Sequence, residues 1–231
     1  SGRARRKRAR CQRLHLQAPC GPALSHYAYH IFTTMNMLAS SVPAGCDGLT
    51  CSPYFFGQVM DKAEHSKLVR EFLKEVEARE PDDDEVRVMI VGQTSGYLQL
   101  IELLDSLGAK VVVDESCFGM RYFWDEVQTD GDPLEAIVSR YVERLPCPVK
   151  DGSIPRRRVP FIMNIAQEYE IELALLVTPA FCDPHGYDNA VIRQTLLDKE
   201  IKVLELGVDF PLPLGQFRTR IEATLETIQL I

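Results

Sequence analysis

Residues 173–207, LALLVTPAFCDPHGYDNAVIRQTLLDKEIKVLELG, hold a complete strand–helix–strand unit. Residues 173–179 form an apolar run of strand length, residues 187–200 show helical periodicity, and residues 202–207 are again short and β-rich. Two such runs joined through a helix make parallel neighbours, because a crossover that long cannot be a hairpin. Between the first run and the helix lies a turn carrying Cys182, Asp183, Pro184 and His185. In open parallel sheets ligands sit outside the carboxyl ends of strands, so a thiolate donor in this turn is a candidate cofactor ligand. The alternative for a lone cysteine beside a strand is a small buried apolar side chain.

The same alternation extends in both directions. Upstream, VRVMIVG (86–92) is a continuous apolar strand. In YLQLIELLDSLGAK, Leu98, Ile101, Leu104 and Leu107 recur at helical spacing until Gly108 stops the helix. KVVVDES (110–116) reads as a second strand. DPLEAIVSRYVERL and RRRVPFIMNIAQEYE read as helices, the first with Asp132 as cap and Pro133 in its first turn. Downstream, GQFRTRIEATLETIQLI closes the chain as a helix. The pattern predicts an α/β fold: a parallel four-stranded sheet with helices on both faces, a three-layer flavodoxin-like or Rossmann-like arrangement with right-handed crossovers.

Four turns then fall on one edge of that sheet: GQTSG (92–96), DESCFGMR (114–121), TPAFCDPHG (178–186) and GVDFPLPLGQFRTR (207–220). This places Cys117, Cys182, His185 and Arg218 or Arg220 around one cleft. Gln93 and Ser95 offer polar donors before a helix N-terminus, a place suited to a phosphate or carboxylate, though the turn matches neither dinucleotide nor P-loop patterns. It also serves simply as a tight connection. Arg218 and Arg220, read as preceding or opening the last helix, can grip an anion in two places or pair with Glu222 or Glu226 on the surface. His185 either orients a ligand or acts as an acid near neutral pH, or is a hydrogen-bonded structural histidine.

Composition excludes several classes. The chain has 231 residues, 45% hydrophobic and 26% charged, as expected of a globular protein with a sizeable core. Its net charge of −7 is uneven: residues 1–46 contain seven Arg and Lys and no Asp or Glu, which leaves 19 positive and 33 negative charges beyond. The arm SGRARRKRARCQR is not followed by a nucleic-acid fold or an amphipathic anchor, so residues 1–24 are expected to be a disordered terminus. No run is long enough to span a membrane and no secretory core follows the arm, which predicts a cytoplasmic protein with neither nucleic-acid nor membrane partners. Seven cysteines without a secretion signal do not read as a disulfide framework. Cys46 and Cys51 have metal-compatible spacing but no second pair at zinc-finger distance, and Cys147 between two prolines reads as a structural turn.

The run RVMIVGQTSGYLQLIELLDSLGAKVVVDESCFGMRYFWDEV, then RYVERLPCPVKD, AFCDPHGYD and GQFRTRIEATLE, resembles the carboxyl-terminal domain of the 2-hydroxyacyl-CoA dehydratase and benzoyl-CoA reductase superfamily. The resemblance covers roughly residues 45–228 in order and is of the 2-hydroxyglutaryl-CoA dehydratase D-component type. It implies an oxygen-sensitive subunit that works with a related second subunit and a separate ATP-dependent iron–sulfur activator. A 4Fe–4S cluster would pass single electrons to a CoA thioester and generate a ketyl radical. By position Cys182 matches a late cluster cysteine, and Cys117 lies in a matching motif with a weaker claim to that role. Gln93, Ser95, Arg121, His185, Arg218 and Arg220 are the residues assigned to the substrate. Residues 25–45 resemble the last helix of an amino-terminal domain and residues 46–231 the α/β domain; the other cluster cysteines belong to the former and are not found. The aromatic-rich MRYFWDEV leans toward the reductase branch. Two alternatives stand beside catalysis: a docking half-subunit that completes a partner's CoA pocket, and an inactive fragment. A flavin protein is disfavoured, since the first turn lacks a convincing phosphate loop.

Overall fold

The computed structural model describes residues 64, 67, 70, 71, 74, 85–92, 98–116, 121, 128, 130–143, 147, 157–209 and 211–229. The basic arm, the segment 25–45, the loop bearing Gln93 and Ser95, Cys117, and the aromatic triplet 122–124 lie outside them.

Among the described residues the chain runs β1 (Val86–Gly92), α1 (Leu98–Ser106), β2 (Ala109–Glu115), α2 (Pro133–Glu143), α3 (Arg158–Glu168), β3 (Leu173–Pro179), α4 (Asp183–Leu197), β4 (Lys202–Val208) and α5 (Leu214–Gln229). All strand pairs are parallel and the order is β2-β1-β3-β4. β1 and β3 occupy the centre, which is why both read as unbroken apolar runs; Val88 to Val91 and Leu173 to Val177 have no solvent exposure. β2 and β4 form the edges. The register of β1 on β2 slips by one residue beyond Val88, so that Val91 lies opposite Glu115.

The core has two faces. Met89, Val91, Val112, Ala174 and Leu176 point toward Phe161, Ile162 and Ile165 of α3 and Ile192 and Leu196 of α4. Val88, Ile90, Leu173, Leu175 and Leu206 point toward Leu100 and Leu104 of α1 and Phe217, Ile221 and Leu225 of α5. Each fully buried aliphatic side chain stabilises the fold by about 1.5–3 kcal/mol relative to exposure. The result is the expected three-layer α/β fold.

Local signals hold these elements in place. Asp132 caps α2, its Oδ1 accepting from the Glu135 amide at 2.9 Å. Gly108 ends α1 at φ +73. One boundary differs from the sequence reading: α4 starts at Asp183, four residues before the expected Tyr187. Pro184 lies in the first turn, where proline's fixed φ and missing N–H suit a helix start, so the CDPHG segment is helix N-terminus rather than loop.

Because the chain crosses from β2 over β1 to reach β3, the strand order reverses between β1 and β3. The two central strands approach closely there. Gly92, at the end of β1, has φ +126, and a Cβ at this position would run into the carbonyl oxygen of Val177. The carboxyl ends of β1 and β3 are therefore the topological switch point at which open α/β sheets receive ligands.

Candidate functional site

Around this crevice a charged network is buried in the sheet edge. Glu115 ends β2, Arg158 opens α3, Asp188 lies in the second turn of α4, and Arg121 comes from the segment after β2. Arg158 and Glu115 have no solvent exposure, and Arg121 and Asp188 retain 3% each. The Arg158 guanidinium donates to Glu115 Oε2 at 2.8 Å, to Glu115 Oε1 at 3.3 Å and to Asp188 Oδ2 at 3.0 Å. Arg121 places Nε 3.1 Å from Glu115 Oε1 and donates through Nη2 to the Gly92 carbonyl at 3.3 Å.

Two guanidinium groups thus face two carboxylates with no surplus charge. Desolvation is the largest single influence on Arg158 and works against its charge, yet Glu115 and Asp188 together outweigh it and hold the guanidinium above its ordinary value. The helix dipole also disfavours a cation at the first position of α3, so the carboxylates compensate twice. Such a network costs desolvation that apolar packing would not. Its position at the switch point, tying β1, β2, α3 and α4 together, is a reason for its presence that stability alone does not supply.

His185 sits beside this network, 6% exposed. Burial first, then the positive charges of Arg158 and Arg121, outweigh Glu115 and Asp188 and push its imidazole down to about 4. It is neutral at pH 7, so it serves as a hydrogen-bonding group and not as an acid near neutrality. Among the described residues its Nδ1 has no hydrogen-bond partner. One turn on, Asn189 donates from Nδ2 to Thr178 Oγ1 at 2.6 Å, while its Oδ1 is buried without a partner among the described residues. Each such atom costs about 1–3 kcal/mol if left unmatched.

Cys182 occupies the N-cap position of α4 and is partly exposed. Its amide donates to Pro179 O and its carbonyl accepts from Gly186 N, both at 3.1 Å, which fixes the backbone of the turn. The preceding residue, Phe181, is fully exposed with φ +62, a left-handed conformation costly for an aromatic residue. Strain of this kind concentrates where a turn has a job beyond connection.

The structure therefore brings Cys182, His185 and Arg121 to one end of the sheet. It engages the other two arginines elsewhere. Both lie inside α5 and do not open it: Arg218 pairs with Glu222 at 3.3 Å and donates to Ser106 Oγ at 3.2 Å, and Arg220 donates to the Glu205 carbonyl on edge strand β4 at 2.8 Å. Glu115, Arg158, Asp188 and Asn189 were not singled out from the sequence. The available signal was on α4, where the buried positions His185, Asp188, Asn189, Ile192 and Leu196 share one stripe that turns polar as it passes the sheet edge.

The profile of the 2-hydroxyglutaryl-CoA dehydratase D-component family matches residues 25–228. The chain belongs to that family. Within it, the chain is 25% identical over 212 residues to the (R)-phenyllactyl-CoA dehydratase beta subunit of Clostridium sporogenes, covering 89% of this chain and 56% of that protein. It is 22% identical over 175 residues to the beta subunit of lactoyl-CoA dehydratase from Anaerotignum propionicum, 74% of this chain and 46% of the relative. A benzoyl-CoA reductase subunit of Thauera aromatica is 25% identical over 151 residues, 63% and 39% of the two chains. This dehydratase D-component homologue thus spans about half the length of the curated relatives it matches.

A 4Fe–4S cluster needs about three or four protein ligands. The described residues include two cysteines, Cys147 and Cys182, and no group of three or more His, Cys, Asp or Glu that could hold a metal. They supply one thiol at the crevice and not a full ligand set. No helix among the described residues is long and apolar enough to cross a membrane.

Proposed function

We propose that this chain is a subunit of an enzyme acting on CoA thioesters, of the 2-hydroxyacyl-CoA dehydratase or benzoyl-CoA reductase type. The observation that carries the reading is that the family match runs through the entire sheet edge that holds Cys182, His185 and the buried network. Cys182 contributes one thiolate to a 4Fe–4S cluster whose remaining ligands come from outside the described residues, Cys117 or a further polypeptide among them. Such a cluster supplies single-electron chemistry to the thioester, with a related second subunit and an ATP-dependent iron–sulfur activator as partners in the cytoplasm. This chain's own residues form a rigid, charge-balanced wall: the network of Arg158, Arg121, Glu115 and Asp188 fixes the ends of β1 and β2 against α4, and thereby the turn on which Cys182 stands.

The test is anaerobic purification of the full chain, alone and co-expressed with a full-length homologous subunit, with iron and acid-labile sulfide measured per polypeptide. About four of each in one of these preparations is the expected result for a single 4Fe–4S cluster. Cys182→Ser is expected to lower both while leaving the far-ultraviolet circular dichroism unchanged. Unchanged iron in that variant would remove Cys182 from the ligand set.

A further inference from the structure

α4 reaches the sheet edge with two buried, uncharged polar side chains one turn apart. His185 and Asn189 are spaced i, i+4, so their Cβ atoms lie about 5–6 Å apart on one face, and each is 6% exposed. Asn189 has one amide atom on Thr178 and the other without a partner among the described residues. Exchanging the amide's oxygen and nitrogen would not alter this count, because the threonine hydroxyl can donate or accept but reaches only one of them. His185 Nδ1 is likewise without a partner among the described residues. One turn apart on this helix, two buried hydrogen-bonding atoms thus stand without partners among the described residues, next to the strand end where ligands enter.

The surrounding charges define what fits. Arg158 is held by Glu115 and Asp188, and Arg121 by Glu115 and the Gly92 carbonyl, so the guanidinium groups already have anionic or carbonyl partners. Two guanidinium groups already face two carboxylates, so an incoming phosphate or carboxylate would add buried negative charge without a balancing cation. A group that is neutral, and that both donates and accepts a hydrogen bond, meets the pair without disturbing the charge balance.

We propose that His185 and Asn189 form a binding subsite for a secondary amide or a hydroxyl group. That the molecule bearing it is a CoA thioester rests on the function proposed above. There the group comes either from the amide-bearing arm of CoA or from a hydroxyl on the acyl chain.

The full chain, labelled with 15N, is titrated with N-methylacetamide and separately with methyl lactate while the His185 ring nitrogens are followed by NMR. A saturable shift of Nδ1 with either probe, lost in Asn189→Leu, supports the subsite; no response in the wild type to either overturns it and leaves the pair to structural water. The wild-type titration decides even where the variant does not fold. Affinities for CoA, propionyl-CoA and lactoyl-CoA then separate the sources. A loss of about tenfold for all three in Asn189→Leu assigns the amide arm, and a loss confined to lactoyl-CoA assigns the acyl hydroxyl. Tight thioester binding that is equal in wild type and variant overturns the proposal. If the probes shift His185 but no CoA compound binds the wild type, the subsite stands and the CoA-thioester function falls.

Discussion

Arg158 bonds with two buried carboxylates, and removing it takes that ion pair from Asp188 and leaves Glu115 to Arg121. Arg158→Met, which keeps the volume of the stem, is expected to lower stability by about 3–5 kcal/mol in urea denaturation; a loss below about 1 kcal/mol would mean that the carboxylates find other partners. His185 makes a prediction of the opposite kind, visible only as pH changes. Its folded-state pKa of about 4 lies below the ordinary 6.5, so the unfolded chain binds a proton that the folded one refuses. The stability linked to this group is complete above about pH 6.5, falls as pH drops toward about 4, and levels off below. The loss amounts to at most about 3 kcal/mol. Urea midpoints of wild type and His185→Gln at several pH values between 7 and 4 check it; parallel curves would show that the imidazole is not responsible. Cys182 and His185 were legible in sequence because a thiol and an imidazole are conspicuous in a strand-end turn. Glu115, Arg158 and Asp188 were not, since charged side chains in strands and helices ordinarily face solvent, and only three-dimensional pairing sets these apart.

At the level of elements, the crevice depends on how closely β1 approaches β3. Gly92→Ala introduces a side chain at φ +126 directly against the Val177 carbonyl, with no flexible atom to give way. The substitution is expected to cost at least about 3 kcal/mol through backbone strain and strand separation. It should also loosen Arg121, which bonds the Gly92 carbonyl. Hydrogen exchange at Met89 to Val91 is the sensitive readout, and unaltered protection would show that the strands tolerate the wider spacing. The strands themselves were readable: β1 and β3 have the limits that their apolar runs imply, because central strands are buried on both faces over most of their length. β2 is displaced by one residue and β4 is one residue longer than expected, since edge strands mix exposed and buried positions. The early start of α4 escaped because Pro184 and Gly186 look like loop residues until the helix places proline in its first turn.

In the whole molecule, three-layer packing follows from the alternation of apolar runs and helical stripes, while composition announced only a globular protein with a sizeable core. What composition did not reveal is the timing built into the strand order. β1 is the first strand among the described residues but lies at the centre, and its second neighbour is distant in sequence: the Arg87 amide meets Glu172 across 85 residues. Closing so long a loop is slow compared with forming β1, α1 and β2, whose contacts are local. As the polypeptide emerges during synthesis, Glu115 and Arg158 are present before β3 has paired with β1, while Asp188 and His185 are still to come. The binding end of the domain is therefore completed only after β3 and α4 have been made, and a nascent chain halted before Asp188 holds Arg158 without one of its two carboxylate partners.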